Sequence, residues 1–126
     1  PGSLYDIEGE SGAIVDRVAP RVDEPVIIKA FPNAFVQTEL DAQLKAIDAR
    51  NLLVVGFMTH MCVNSTARGA FSLGYAPTVV AAATATRTLA GPDGQPVPAA
   101  ALQAASLAGL ADLVAVVAPN AAAIPD

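Results

Sequence analysis

LLVVGFMTHMCVNSTARGAFSLG, residues 52–74, sets an apolar run against a stretch with helical spacing and places Cys62 at the join. LLVVGF is nearly continuous in hydrophobicity rather than alternating. That pattern suits a strand buried on both faces of a parallel sheet. From Met61 onward, Val63, Ala67, Ala70 and Phe71 fall together on one helical face, and Gly74 is a ready C-terminal stop. A strand that turns into a helix is one unit of an α/β layer fold.

The same alternation continues outward. VIIKAF (26–31), TVVAAAT (78–84) and LVAVVAP (113–119) are further candidates for buried strands. TELDAQLKAIDAR (38–50) predicts a helix with Thr38 as its N-cap and Leu40, Leu44 and Ile47 on one face. PVPAAALQAASLAGLAD (96–112) predicts another, with prolines in its first turn and Leu102, Leu107 and Leu110 toward the core. TRTLAGPDGQPVP (86–98) reads as a loop with a turn at P-D-G. SGAIVDRVAP (11–20) reads as a short helix ended by Pro20. Strand and helix in alternation predict an α/β fold with right-handed crossovers.

Composition bounds the function. The 126 residues are the length of one domain, taken here as residues 1–126. A net charge of −5 without any Lys/Arg cluster argues against nucleic acid or an acidic membrane as partner. No apolar run approaches the ~20 residues of a membrane helix, and the start PGSLYDIEGE lacks the pattern of a signal peptide. A single cysteine forms no internal disulfide, which fits a reducing compartment and predicts a cytoplasmic protein.

A lone cysteine is most often an inert buried group, but the position of Cys62 favours chemistry. In open α/β sheets, sites form at the carboxyl ends of strands. The helix N-terminus there supplies partial positive charge and unpaired N–H groups, which stabilise a thiolate and an oxyanion alike. Lys29 ends another predicted strand and is the only charge in its apolar surroundings, so it needs a partner or a function. If the two strands are parallel, Lys29 and Cys62 emerge at one edge, where an ammonium favours a thiolate nucleophile. His60, two residues before Cys62, suits the pocket wall or a backbone contact better than a Cys-His dyad, because side chains at that spacing diverge. Phe31, Phe35, Phe57, Met58 and His60 are the expected pocket walls, apolar with one polar tip, suited to a small, weakly polar amide. One His and one Cys do not make a metal-ligand set, so no metal or cofactor is expected.

These residues also carry a family resemblance. VVGFMTHMCVNSTARGAFSLGY (54–75) resembles the signature of the isochorismatase-like cysteine hydrolases, with Gly56, Thr59, Cys62, Val63, Thr66, Ala67, Ala70, Gly74 and Tyr75 in register. Upstream, Lys29, Asn33, Ala34, Phe35, Thr38 and Leu40 match a second block of that family. The resemblance covers roughly residues 10 to 118. It implies a doubly wound, mostly parallel α/β sheet (Rossmann-like, three-layer), a homo-oligomer, and hydrolysis of the C–N bond of a small amide through a cysteine acyl-enzyme. It further implies Cys62 as nucleophile and Lys29 as the lysine of an Asp-Lys-Cys triad. The backbone N–H groups of Met58 and Cys62 become the oxyanion hole, beside a cis peptide at Phe57–Met58.

The chain departs from the family pattern in two respects, one of them Ala82 on TVVAAATA, where the family commonly carries an aspartate. No aspartate follows an apolar strand, so the triad's base is not in these residues. In a doubly wound sheet, VIIK and LLVVGF would be strands 3 and 4, with two central strands between them. The sequence therefore reads as the C-terminal part of a domain, lacking its N-terminal strands. A missing N-terminal segment or a second chain is expected to complete the sheet and supply the carboxylate. The alternative is a catalytically incomplete fragment or pseudo-enzyme with a structural or oligomerisation role.

Overall fold

A strand needs a partner, and the apolar runs that find one in this chain are those from residue 51 onward. A computed structural model describes residues 6–124. Its strands are β1 (Asn51–Phe57), β2 (Ala76–Ala85), β3 (Leu89–Ala90), β4 (Pro96–Val97) and β5 (Val116–Ala118). Its α-helices are α1 (Leu40–Ala46), α2 (Asn64–Ser72) and α3 (Ala99–Ala111). Strands β1, β2 and β5 form one parallel sheet in the order β1-β2-β5, while β3 and β4 form a small antiparallel hairpin. The parallel α/β fold expected from the alternating pattern is the one found.

Helices α2 and α3 pack on one face of the sheet. Val63 at the entry to α2, Ala67 of α2, Val79 of β2, Leu110 of α3 and Val114 after α3 form a buried cluster, with Val54, Leu107 and Val117 packed against it. The opposite side chains of β1 have no such cover. Leu53, Val55 and Phe57 are 59%, 55% and 73% exposed.

Several expectations need correction. VIIKAF (26–31) is not a strand: among the described residues nothing hydrogen-bonds to it in a ladder, and Val26 and Ile28 remain exposed. The helix expected over 38–50 is confined to Leu40–Ala46, because Asp48 takes a left-handed conformation (φ 48°) that ends it. Thr38 is not its N-cap; its hydroxyl accepts from Leu40 N–H and donates to the carbonyl of Ala34. Ile47, expected to face the core, is 75% exposed. Pro96 and Val97 pair with β3 instead of opening α3. SGAIVDRVAP, with Glu10 just before it, folds as two short 3-10 turns, Glu10–Gly12 and Asp16–Val18, rather than one helix. No helix among the described residues is long and apolar enough to cross a membrane.

Candidate active site

The chain leaves β1 through Gly56, which adopts φ +109°, a region open to glycine and rarely to other residues. The next peptide, Phe57–Met58, is cis, at the position the resemblance implied. A π-helical turn, Thr59–Val63, then leads into α2. The carbonyl of Met58 accepts from the N–H groups of Met61 (3.0 Å) and Val63 (3.3 Å), which closes this turn around Cys62. Met58 and Cys62, whose N–H groups were expected to hold an oxyanion, thus lie within one tight turn at the carboxyl end of β1.

Cys62 is a free, half-buried thiol. Lys29 reaches it from the loop before α1, with Nζ 3.3 Å from Sγ. The same ammonium donates to the carbonyls of Phe31 (2.9 Å) and Pro32 (3.3 Å). An ammonium has three N–H donors, so these acceptors account for all of them. Lys29 is exposed rather than buried at a strand end, and it is held by carbonyls instead of apolar walls. The two residues paired in the sequence analysis do meet, but Lys29 arrives from a loop and not from a strand end.

The expected pocket residues do not all converge. A cavity of about 660 Å³ is lined by Lys29, Phe31, Met61 and Cys62 together with the aliphatic side chains of Ile7, Ile14 and Ile28. Phe31 therefore shares the cavity with Cys62. Phe35 instead stacks on Tyr75, ring centroids 5.8 Å apart. Phe57 projects from the uncovered face of β1, and neither it nor Met58 lines the cavity. His60 meets Thr86, whose hydroxyl oxygen lies 2.5 Å from its Nδ1. Its buried Nε2 has no hydrogen-bond partner among the described residues, and neither does the hydroxyl of the fully buried Thr59. Thr86 carries no signal of this contact in the sequence, because it lies in the loop after β2. The register of β2 shifts just before that loop, pairing Val54 with Val79 but Gly56 with Thr84. No group of three His, Cys, Asp or Glu side chains suited to a metal exists among the described residues.

Residues 6–121 match the Isochorismatase domain family. The chain belongs to the isochorismatase family. Among solved structures, an isochorismatase from Pseudomonas putida superposes with a TM-score of 0.89 at 41% identity, over 95% of this chain and 61% of the other. A cysteine hydrolase from Pseudomonas syringae superposes with a TM-score of 0.81 at 27% identity, over 84% of this chain and 50% of that one. An uncharacterized isochorismatase family protein of Bacillus subtilis is 41% identical over 80 residues, which are 64% of this chain and 44% of the relative. A ureidoacrylate amidohydrolase of Stutzerimonas stutzeri is 37% identical over 83 residues, 66% of this chain and 34% of the relative. This isochorismatase-family chain thus spans less than half the length of those two curated relatives.

Proposed function

We propose that the chain carries the nucleophile of a cysteine amidohydrolase acting on a small amide or ureido compound. The observation that carries this reading is the 3.3 Å contact between Lys29 Nζ and Cys62 Sγ at a strand-to-helix turn. An ammonium so placed hydrogen-bonds the sulfur and holds it at the turn from which a cysteine nucleophile would attack carbonyl carbon. The thiolate sulfur bonds to that carbon and the carbonyl π pair moves onto oxygen, where the N–H groups of Met58 and Cys62 receive the negative charge. Collapse expels the amine, which takes a proton from a general acid, and leaves a thioester. Water, deprotonated by the conjugate base, then releases the acid and restores the thiolate. Similarity to a ureidoacrylate amidohydrolase supports the C–N bond as the one cleaved.

The partners of Lys29 are two carbonyls and the sulfur, so the acid–base group is the part still to be supplied. We assign it to a carboxylate on a strand from outside residues 6–124, seated along the free edge of β1 and over the aliphatic part of the cavity. The Pseudomonas putida structure, of which this chain covers 61%, has chain to spare for such a strand. A free thiol fits a cytoplasmic setting, and a homo-oligomer is part of the same reading. The second reading, a structural or oligomerisation role, is favoured by the uncovered side chains Leu53, Val55 and Phe57. An assay with small amides and ureido acids separates the two. The protein should hydrolyse at least one of them, and iodoacetamide should abolish the activity. Cys62→Ala should lower kcat on the order of a thousandfold or more. Undiminished turnover in that variant would end the nucleophile assignment.

A further inference from the structure

Lys29 sits on a long, flexible stem, and both Lys and Arg carry about 2 kcal/mol of rotamer entropy that a fixed position must overcome. Something must therefore hold the carbonyls that hold the ammonium. Phe31 and Pro32 belong to a stretch without helix or strand, and proline has no N–H with which to anchor itself. The anchor comes from α2. Thr66 Oγ1 accepts from the N–H of Ala34 (3.1 Å) and donates to the carbonyl of Pro32 (3.3 Å). A hydroxyl has one proton to give, and here it goes to the carbonyl that also receives Lys29 Nζ. With two donors, both lone pairs of the Pro32 oxygen are occupied.

The spacing explains how one helix does this. Cys62, Thr66 and Gly69 stand at i, i+4 and i+7, a single stripe along the turn and helix. The sulfur meets the ammonium, the hydroxyl meets the loop backbone, and the glycine leaves room for Asn33. A Cβ on Gly69 would lie 2.6–2.9 Å from the Asn33 side-chain amide. Asn33 Oδ1 in turn accepts from Phe35 N–H, which keeps the loop turned.

Resting on the reading of Lys29 and Cys62 given above, we propose that Thr66 is a positioning residue that holds Lys29 against Cys62 by fixing the Pro32 carbonyl and the Ala34 amide. Its hydroxyl bonds to loop backbone and not to the sulfur. Its effect on Cys62 passes through Lys29 alone.

The test uses protein expressed from its own gene, so that whatever completes the sheet is present. Thr66→Val, Thr66→Ser, Lys29→Met and the double variant Lys29→Met/Thr66→Val are compared for the rate of Cys62 alkylation by iodoacetamide at fixed pH. Thermal unfolding of each is followed alongside. Thr66→Val should slow alkylation roughly two- to tenfold, the factor one net hydrogen bond is worth. Thr66→Ser, which keeps the hydroxyl, should restore the rate. In the Lys29→Met background, Thr66→Val should have no further effect. Should Thr66→Val not fold, Thr66→Ala enters the same cycle. A slow Lys29→Met with Thr66→Val at the parent rate would overturn the role of Thr66 and leave that of Lys29 standing. Parent rates in both would overturn the lysine–thiol reading itself. A Thr66→Val effect that persists without Lys29 would show that Thr66 acts by another route, and the positioning role would fall.

Discussion

The three N–H groups of Lys29 divide among the Phe31 carbonyl, the Pro32 carbonyl and Cys62 Sγ, so its position depends on how residues 31–34 lie on α2. Gly69 controls that contact. Replacing it with alanine has two opposed effects. Alanine favours a helix interior over glycine by roughly 0.8–1 kcal/mol. Its Cβ, however, would displace Asn33 and break the hydrogen bond to Phe35 N–H, a loss of about 1 kcal/mol. Gly69→Ala should therefore leave the unfolding midpoint nearly unchanged while slowing Cys62 alkylation, because the Lys29 loop moves. Measuring both quantities on one sample checks this. Unchanged alkylation would mean that the loop absorbs the methyl group without moving Lys29. At this scale the sequence marked Lys29 and Cys62 as candidates, the one a lone charge in an apolar run and the other at the turn from strand to helix, and the structure brings their side chains together. Thr66 and Thr86 were illegible as partners, because their roles depend on where two loops come to rest.

Among elements, α1 is short and held from its side. Asp41 accepts from Lys45 Nζ one turn later (2.6 Å) and from the hydroxyl of Tyr75 (2.8 Å). The hydrogen bond from Lys45, then that from Tyr75, holds the Asp41 carboxyl below the ordinary aspartate value of 3.8. Burial first, then Asp41, pushes the Tyr75 phenol above its ordinary 10.0. The signs follow from linkage. A carboxyl depressed in the folded state stabilises fully above pH 3.8, and that stability is lost as pH falls through the lower folded value. A phenol raised in the folded state stabilises below pH 10.0 and loses its contribution as pH rises past it. Asp41→Asn should thus be less stable than the parent near neutral pH, with the difference shrinking as the solution is acidified below 3.8. Denaturant unfolding across that range checks it, and a difference independent of pH would sink the assignment. Hydrophobic period showed α2, α3, β1, β2 and β5 in the sequence, because each buries a face against another element of this chain. It misplaced the ends of α1, where Asp48 rather than periodicity sets the limit. It also named 26–31 a strand, since apolar content records what a segment could pair with and not whether the partner is there.

For the molecule as a whole, the sheet order β1-β2-β5 leaves β1 bonded on one side only among the described residues. The N–H groups of a strand alternate in direction, so an edge strand presents a row of unpaired donors and acceptors, and proteins ordinarily cover or blunt such an edge. Nothing in Asn51–Phe57 blunts this one: it has no proline, no charge and no lysine, and Leu53, Val55 and Phe57 are uncovered as well. These residues match the composition of a central strand rather than an edge. The proposed carboxylate-bearing strand answers both the unpaired edge and the unsupplied base, which ties the architecture to the chemistry. Amide hydrogen exchange on the protein expressed from its own gene discriminates. With a strand seated on the free side, all amides from Leu52 to Phe57 should exchange slowly, whichever way they point. With the edge open, slow and fast amides should alternate along β1, the slow ones being those bonded to β2. Alternation would remove the completing strand from the argument, and the hydrolase reading would then have to find its base among residues this sheet already contains.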